Sequence, residues 1–79
     1  MYIIYGTASC TYCVEAKKLL DREGKDYTYS DITVLTATER DNIQEIAGQV
    51  FRTVPQIFKL VDNEMVYVGG FKDLKEDLS

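Results

Sequence analysis

Residues 2–24 read YIIYGTASCTYCVEAKKLLDREG, and the fold turns on how this stretch is organised. Tyr2 to Tyr5 is a short apolar run rich in β-branched and aromatic residues and closed by Gly6, the pattern of a buried strand. From Thr11 to Glu23 the apolar residues Tyr12, Cys13, Ala16, Leu19 and Leu20 recur at helical spacing, while Glu15, Lys18 and Arg22 fall on other faces. Gly24 supplies a C-terminal stop. A strand, a short loop and a helix therefore follow one another, with Cys10-Thr11-Tyr12-Cys13 at the helix N-terminus.

The rest of the chain extends this unit. Tyr27 to Ile32 is aromatic and β-branched and reads as a second strand, returning parallel to the first by the right-handed crossover rule. Thr36-Ala37-Thr38-Glu39 has the pattern of a capping box ahead of Ile43, Ile46 and Ala47, so a second helix is expected from about Ala37 to Ala47, stopped by Gly48. Pro55 precedes a central strand, Gln56 to Val61; Asp62-Asn63 makes a turn, and Met65 to Val68 is its antiparallel partner. Gly69-Gly70 breaks that strand, and Lys72 to Leu78 suggests a closing helix. The order βαβ-α-ββα predicts an α/β domain over residues 1–79, a four-stranded mixed sheet between helices in three layers.

Composition narrows the function classes. At 79 residues the chain has room for one core, and its 46% hydrophobic content supports packing rather than disorder. A net charge of −4 with scattered basic residues argues against nucleic acid as a partner. No apolar run approaches the roughly 20 residues that cross a bilayer, and the N-terminus lacks the basic start and long apolar region of a secretion signal. Two cysteines so close together are not the framework of a secreted disulfide scaffold, so a reducing, cytoplasmic setting is expected.

The cysteines carry the chemistry. A CxxC where a strand feeds a helix is the signature of a redox dithiol, because orphan N–H groups and the positive end of the helix dipole favour a thiolate, the nucleophilic form. This geometry is expected to leave Cys10 exposed as nucleophile and to turn Cys13 inward as the less accessible resolving thiol. A structural zinc site needs four Cys or His ligands, and the chain offers two cysteines and no histidine. The same absence of histidine removes the usual base of a cysteine protease.

Beyond the motif itself, the chain resembles a glutaredoxin over nearly its whole length. The residues that carry the resemblance are Cys10-Thr11-Tyr12-Cys13, Thr53-Val54-Pro55-Gln56-Ile57-Phe58 and Gly69-Gly70-Phe71-Lys72-Asp73-Leu74, in family order and spacing. The resemblance implies a thioredoxin-like fold and a glutathione-dependent thiol–disulfide oxidoreductase, with Cys10 and Cys13 catalytic. It implies a cis peptide before Pro55, with the backbone of Val54 turned outward to pair with the cysteinyl unit of glutathione. Tyr12 and Thr53 would line the groove, and Gly70, Phe71, Lys72 and Asp73 would receive the γ-glutamyl end, the Lys72 and Asp73 amides meeting its carboxylate and the Asp73 side chain its ammonium. Partners so implied are glutathione and disulfide-containing or glutathionylated proteins, ribonucleotide reductase being a typical acceptor, with the protein acting as a monomer.

Two departures from the family pattern matter. Many glutaredoxins carry a proline where this chain has Thr11, and a lysine where it has Thr7. Arg52, Arg40 or the Gln44 amide are then the candidates to hold the glycyl carboxylate. Thr11 adds an N–H and frees φ beside Cys10, which alters the surroundings of that sulfur. Some family members with a small polar residue there hold a [2Fe-2S] cluster between two protomers through their first cysteine and glutathione. Two further readings stand beside the leading one: a thioredoxin-like donor recharged by a flavin reductase, and a cluster carrier or interaction module.

Overall fold

The computed structural model describes residues 1–79. Its elements are β1 (Tyr2–Gly6), α1 (Thr11–Arg22), β2 (Tyr27–Asp31), a 3₁₀ turn (Ile32–Val34), α2 (Ala37–Ala47), β3 (Gln56–Val61), β4 (Glu64–Gly69) and α3 (Phe71–Leu78). The strands form one sheet in the order β2-β1-β3-β4. β1 runs parallel to β2 and antiparallel to β3, and β3 is antiparallel to β4, so the sheet is mixed as expected.

Local chemistry sets the boundaries. The α2 capping box forms: the Thr36 hydroxyl accepts from Glu39 N–H (3.1 Å), and the Glu39 carboxylate accepts from Thr36 N–H (2.9 Å). Gly48 ends α2 in the left-handed region, at φ 76°. Asp62 and Asn63 both have positive φ, the geometry of a tight hairpin turn whose twist suits the strands. The second strand stops at Asp31, one residue short of the expected Ile32, because the Asp31 carboxylate accepts from both Thr33 N–H (2.8 Å) and the Thr33 hydroxyl (2.7 Å) and opens the 3₁₀ turn. β4 is longer than the sequence suggests, running from Glu64 through Gly69, so Gly69 is a strand residue rather than a breaker.

Alternation along the strands builds a core on each face. Ile4 and Ile57 pair across β1 and β3 and pack with Ala16, Leu19 and Leu20 of α1 and Leu74 of α3. From the other face, Phe58 meets the rings of Tyr5 (5.7 Å), Phe51 (6.2 Å) and Tyr67 (5.2 Å), beside α2. At the C-terminus, Asp77 accepts from the Tyr2 hydroxyl (2.6 Å) and from the Lys59 ammonium (2.8 Å), pinning α3 to the sheet. Burial, reinforced by that bond to Asp77, pushes the Tyr2 hydroxyl up to about 12, while Lys59 and then Tyr2 hold the Asp77 carboxyl below the usual range. No helix is long and apolar enough to cross a membrane.

Candidate active site

The site begins at the turn from β1 into α1. Cys10 N–H donates to Thr7 O (3.2 Å), closing the loop that carries the chain out of the strand. Cys10 is the N-cap of α1, and its sulfur accepts from Cys13 N–H (3.0 Å). The first-turn amide that a capping serine or aspartate oxygen would satisfy is here satisfied by sulfur. Cys13 is buried and Cys10 partly buried, so the first cysteine is less open than the sequence suggests. The two form a disulfide, with Cα atoms 5.2 Å apart.

Behind the pair stands Gly6. A Cβ there would collide with Cys13 Sγ and come within 3.3 Å of the Tyr29 ring. Sequence reading treats Gly6 only as the end of a strand; its second task, making room for the inner sulfur, depends on how α1 folds back and leaves no local signature.

Beside the cysteines lies a groove of about 440 Å³ lined by Tyr12, Thr53, Val54, Pro55, Gly70, Phe71, Lys72 and Asp73. These are the residues named above for glutathione, drawn together from segments far apart in sequence. The sulfurs do not line the groove; Tyr12, between the two cysteines, joins it to the motif. The Tyr12 and Phe71 rings stack (5.8 Å between centroids, 27° between planes), forming one wall, and the Lys75 ammonium lies 5.5 Å from the Phe71 ring. The Val54–Pro55 peptide is cis. Neither backbone group of Val54 has a hydrogen-bond partner in the chain. Across the groove, Gly70 caps the start of α3, and the Asp73 carboxylate accepts from Gly70 N–H (3.0 Å), the half of a capping box that a glycine N-cap permits.

A second hollow of about 270 Å³ adjoins the first, sharing Thr53 and Val54 and adding Thr7, Arg40 and Arg52. The Arg40 guanidinium donates to Ile32 O (3.1 Å), and neither arginine is in an ion pair. Gln44 stays outside it: its side-chain oxygen accepts from Phe51 N–H (2.9 Å). Of the three candidates for the glycyl carboxylate, the fold therefore brings the two arginines to the hollow adjoining the groove and employs the glutamine elsewhere.

Residues 2–66 match the family model described as glutaredoxin. The chain belongs to the glutaredoxin family. It is 43% identical over 72 residues to glutaredoxin 1 of Rickettsia prowazekii, covering 91% of this chain and 70% of that protein. It is 39% identical to glutaredoxin 1 of Escherichia coli, covering 96% and 94%. Among solved structures, the glutaredoxin of Brucella melitensis superposes with a TM-score of 0.67 at 39% identity, over 95% of this chain and 74% of that one. The thioredoxin-like fold and the redox-active Cys10–Cys13 pair follow, and with them the activity of a thiol–disulfide oxidoreductase. Cys10 at the N-cap of α1 and Cys13 in its first turn are close enough to be bridged as a disulfide.

Proposed function

We propose that this glutaredoxin reduces protein disulfides and glutathione mixed disulfides through Cys10, with Cys13 as resolving thiol and glutathione as reductant. One observation carries the reading: Tyr12, Thr53–Pro55 and Gly70–Asp73 converge on a single groove beside the dithiol. Glutathione is a peptide bearing two carboxylates and one ammonium, and the groove together with its adjoining hollow offers each a partner. The unpaired N–H and C=O of Val54 suit a short β-like contact with its cysteinyl unit. The orphan amides at the start of α3 suit the γ-glutamyl carboxylate, Asp73 the ammonium, and Arg40 or Arg52 the glycyl carboxylate.

The chemistry is exchange between sulfurs. Cys10 thiolate attacks one sulfur of the substrate disulfide, forming a mixed disulfide and expelling the other sulfur as a thiolate that takes up a proton. Cys13 then attacks Cys10 Sγ, releasing the second substrate thiol and leaving the Cys10–Cys13 disulfide. One glutathione thiolate opens that disulfide, and a second displaces the first from Cys10 as oxidised glutathione. The acceptors are glutathionylated or disulfide-containing proteins, ribonucleotide reductase among the candidates, met by a monomer in a reducing cytoplasm. A [2Fe-2S] cluster of the kind held between two protomers would draw on Cys10 of each and on glutathione, and no step here runs through one.

A coupled assay tests the reading: turnover is expected with glutathione plus its reductase and not with thioredoxin reductase alone. The reverse pattern would make the protein a thioredoxin-like donor. The roles of the two sulfurs are tested by labelling. The helix-start amide that meets Cys10 Sγ stabilises its thiolate, while burial disfavours that of Cys13, so alkylation of the reduced protein at mildly acidic pH should modify Cys10 about tenfold faster or more. Preferential labelling of Cys13 would reverse the assignment.

Asp73 has two tasks that substitutions can separate. Asp73→Ala should raise the apparent KM for glutathione roughly tenfold, about 1.4 kcal/mol, as expected of a charge-assisted hydrogen bond. Asp73→Asn keeps an oxygen for Gly70 N–H but removes the charge. It should show nearly the same KM with the stability of the parent; a parental KM in Asp73→Asn would leave the acid as a helix cap only.

A further inference from the structure

Residues 51–55 line the two hollows between them, yet form no backbone–backbone hydrogen bonds. Side chains hold the segment instead. Gln44 takes the N–H of Phe51, and a second set acts at its far end. The Gln49 side-chain amide donates to the Tyr67 hydroxyl (2.7 Å), that hydroxyl donates to Gln56 Oε1 (2.6 Å), and Gln56 Nε2 donates to Thr53 O (2.8 Å). The chain of bonds runs from the end of α2, through edge strand β4, into β3 and back to the loop. Gln56 is 4% exposed, so both ends of its amide need protein partners, and they have them. Burial raises the Tyr67 hydroxyl above its ordinary range, as does the nearby Asp73 charge, against the opposing Gln49 bond; the hydroxyl stays protonated and able to donate. Its ring is also fixed, stacked on Phe51 (6.3 Å, 20°) and packed on Phe58 (5.2 Å).

We propose that Gln49, Tyr67 and Gln56 form a positioning relay that sets the Thr53–Pro55 segment in the orientation in which Val54 presents its backbone to glutathione. The inference rests on the glutathione reading of the groove. The relay residues touch no ligand; they act through the Thr53 carbonyl. Hydrogen bonds to neighbouring amides are directional, so loss of the Tyr67 hydroxyl frees the Gln56 amide to rotate and releases Thr53 O. The cost should therefore fall on binding and not on sulfur chemistry.

Tyr67→Phe keeps the ring packing and removes both hydroxyl bonds. Its KM for glutathione should rise about five- to tenfold with kcat within about twofold, the scale of one lost buried hydrogen bond. Gln56→Glu keeps an acceptor for Tyr67 but loses the donor to Thr53, and should give a similar rise. The double variant should be no worse than either single one, because the residues act as one unit. An independent readout needs no glutathione: in Tyr67→Phe the Gln56 side-chain amide protons should exchange about tenfold faster or more, and the Thr53 and Val54 amide resonances should shift. Gln49→Ala, at the exposed end of the relay, should move the same observables less and covers the case in which Tyr67→Phe fails to fold. Unchanged exchange at Gln56, unchanged KM, or additive effects in the double variant overturn the relay. A parent protein that fails to saturate with glutathione sinks instead the reading of the groove.

Discussion

Cys10→Ser should abolish turnover of both a glutathione mixed disulfide and a protein disulfide, whereas Cys13→Ser should keep the first reaction and lose most of the second. The asymmetry follows from position. Cys10 is the helix N-cap, partly open, and its sulfur meets a first-turn amide; a serine hydroxyl there is too weak a nucleophile to attack sulfur at neutral pH. Cys13 is buried and reaches only Cys10 Sγ, so it acts only after a mixed disulfide has formed. With a protein disulfide, the second substrate thiol is released fastest by this neighbour, whose effective concentration far exceeds that of any dissolved thiol, and its loss should slow turnover by about a hundredfold or more. With a glutathionylated substrate, Cys10 takes the glutathione sulfur and a second glutathione removes it, so Cys13 has no necessary role. Both variants are to be assayed on both substrates. Equal loss of the two activities in Cys13→Ser would rule out the single-cysteine route and leave a purely dithiol mechanism.

What could be read without coordinates was whatever short-range chemistry encodes. The Thr36–Glu39 capping box and the left-handed Gly48 give α2 the bounds expected of it, and the apolar stripe ending in Leu19 and Leu20 identifies the face of α1 that is buried. The groove residues were legible for another reason: three separated motifs match a family pattern, and the fold brings them to one place. Contacts between distant residues were not legible. Nothing local marks Gly6 as the wall behind Cys13 Sγ, and nothing in Gln49, Gln56 or Tyr67 taken singly suggests a continuous run of bonds across three elements. The Asp31 side chain reroutes β2 into a 3₁₀ turn, a competition between local bonds that a strand-like composition conceals.

Gly69 and Gly70 look interchangeable in sequence, and substitution should separate them sharply. Gly69 is buried, pairs with Ile57 at the end of β4 and has φ 126°, a region in which an L side chain is strained. A Cβ on it would also collide with the Asp73 carboxyl group and lie 2.8 Å from Asp73 Cβ, so α3 would have to move. Gly69→Ala therefore combines backbone strain with a displaced helix start, and should cost roughly 2–4 kcal/mol. Domains of this size hold on the order of 4–12 kcal/mol in total, so the melting temperature should fall by about 10–25 °C. Gly70 has φ −90°, which any residue adopts, and the nearest atom to an added Cβ is Pro55 O at 3.9 Å, an ordinary contact. Gly70→Ala should leave stability within about 0.5 kcal/mol of the parent. Its methyl would nevertheless point across the groove toward Pro55, narrowing the passage between two of its lining residues, so the KM for glutathione should rise about three- to tenfold. Thermal melts and glutathione titrations of the two variants form the test. A stable Gly69→Ala protein would mean that α3 yields easily and that Asp73 is not fixed by its neighbours, while a Gly70→Ala protein with parental KM would place glutathione away from the Gly70–Pro55 passage.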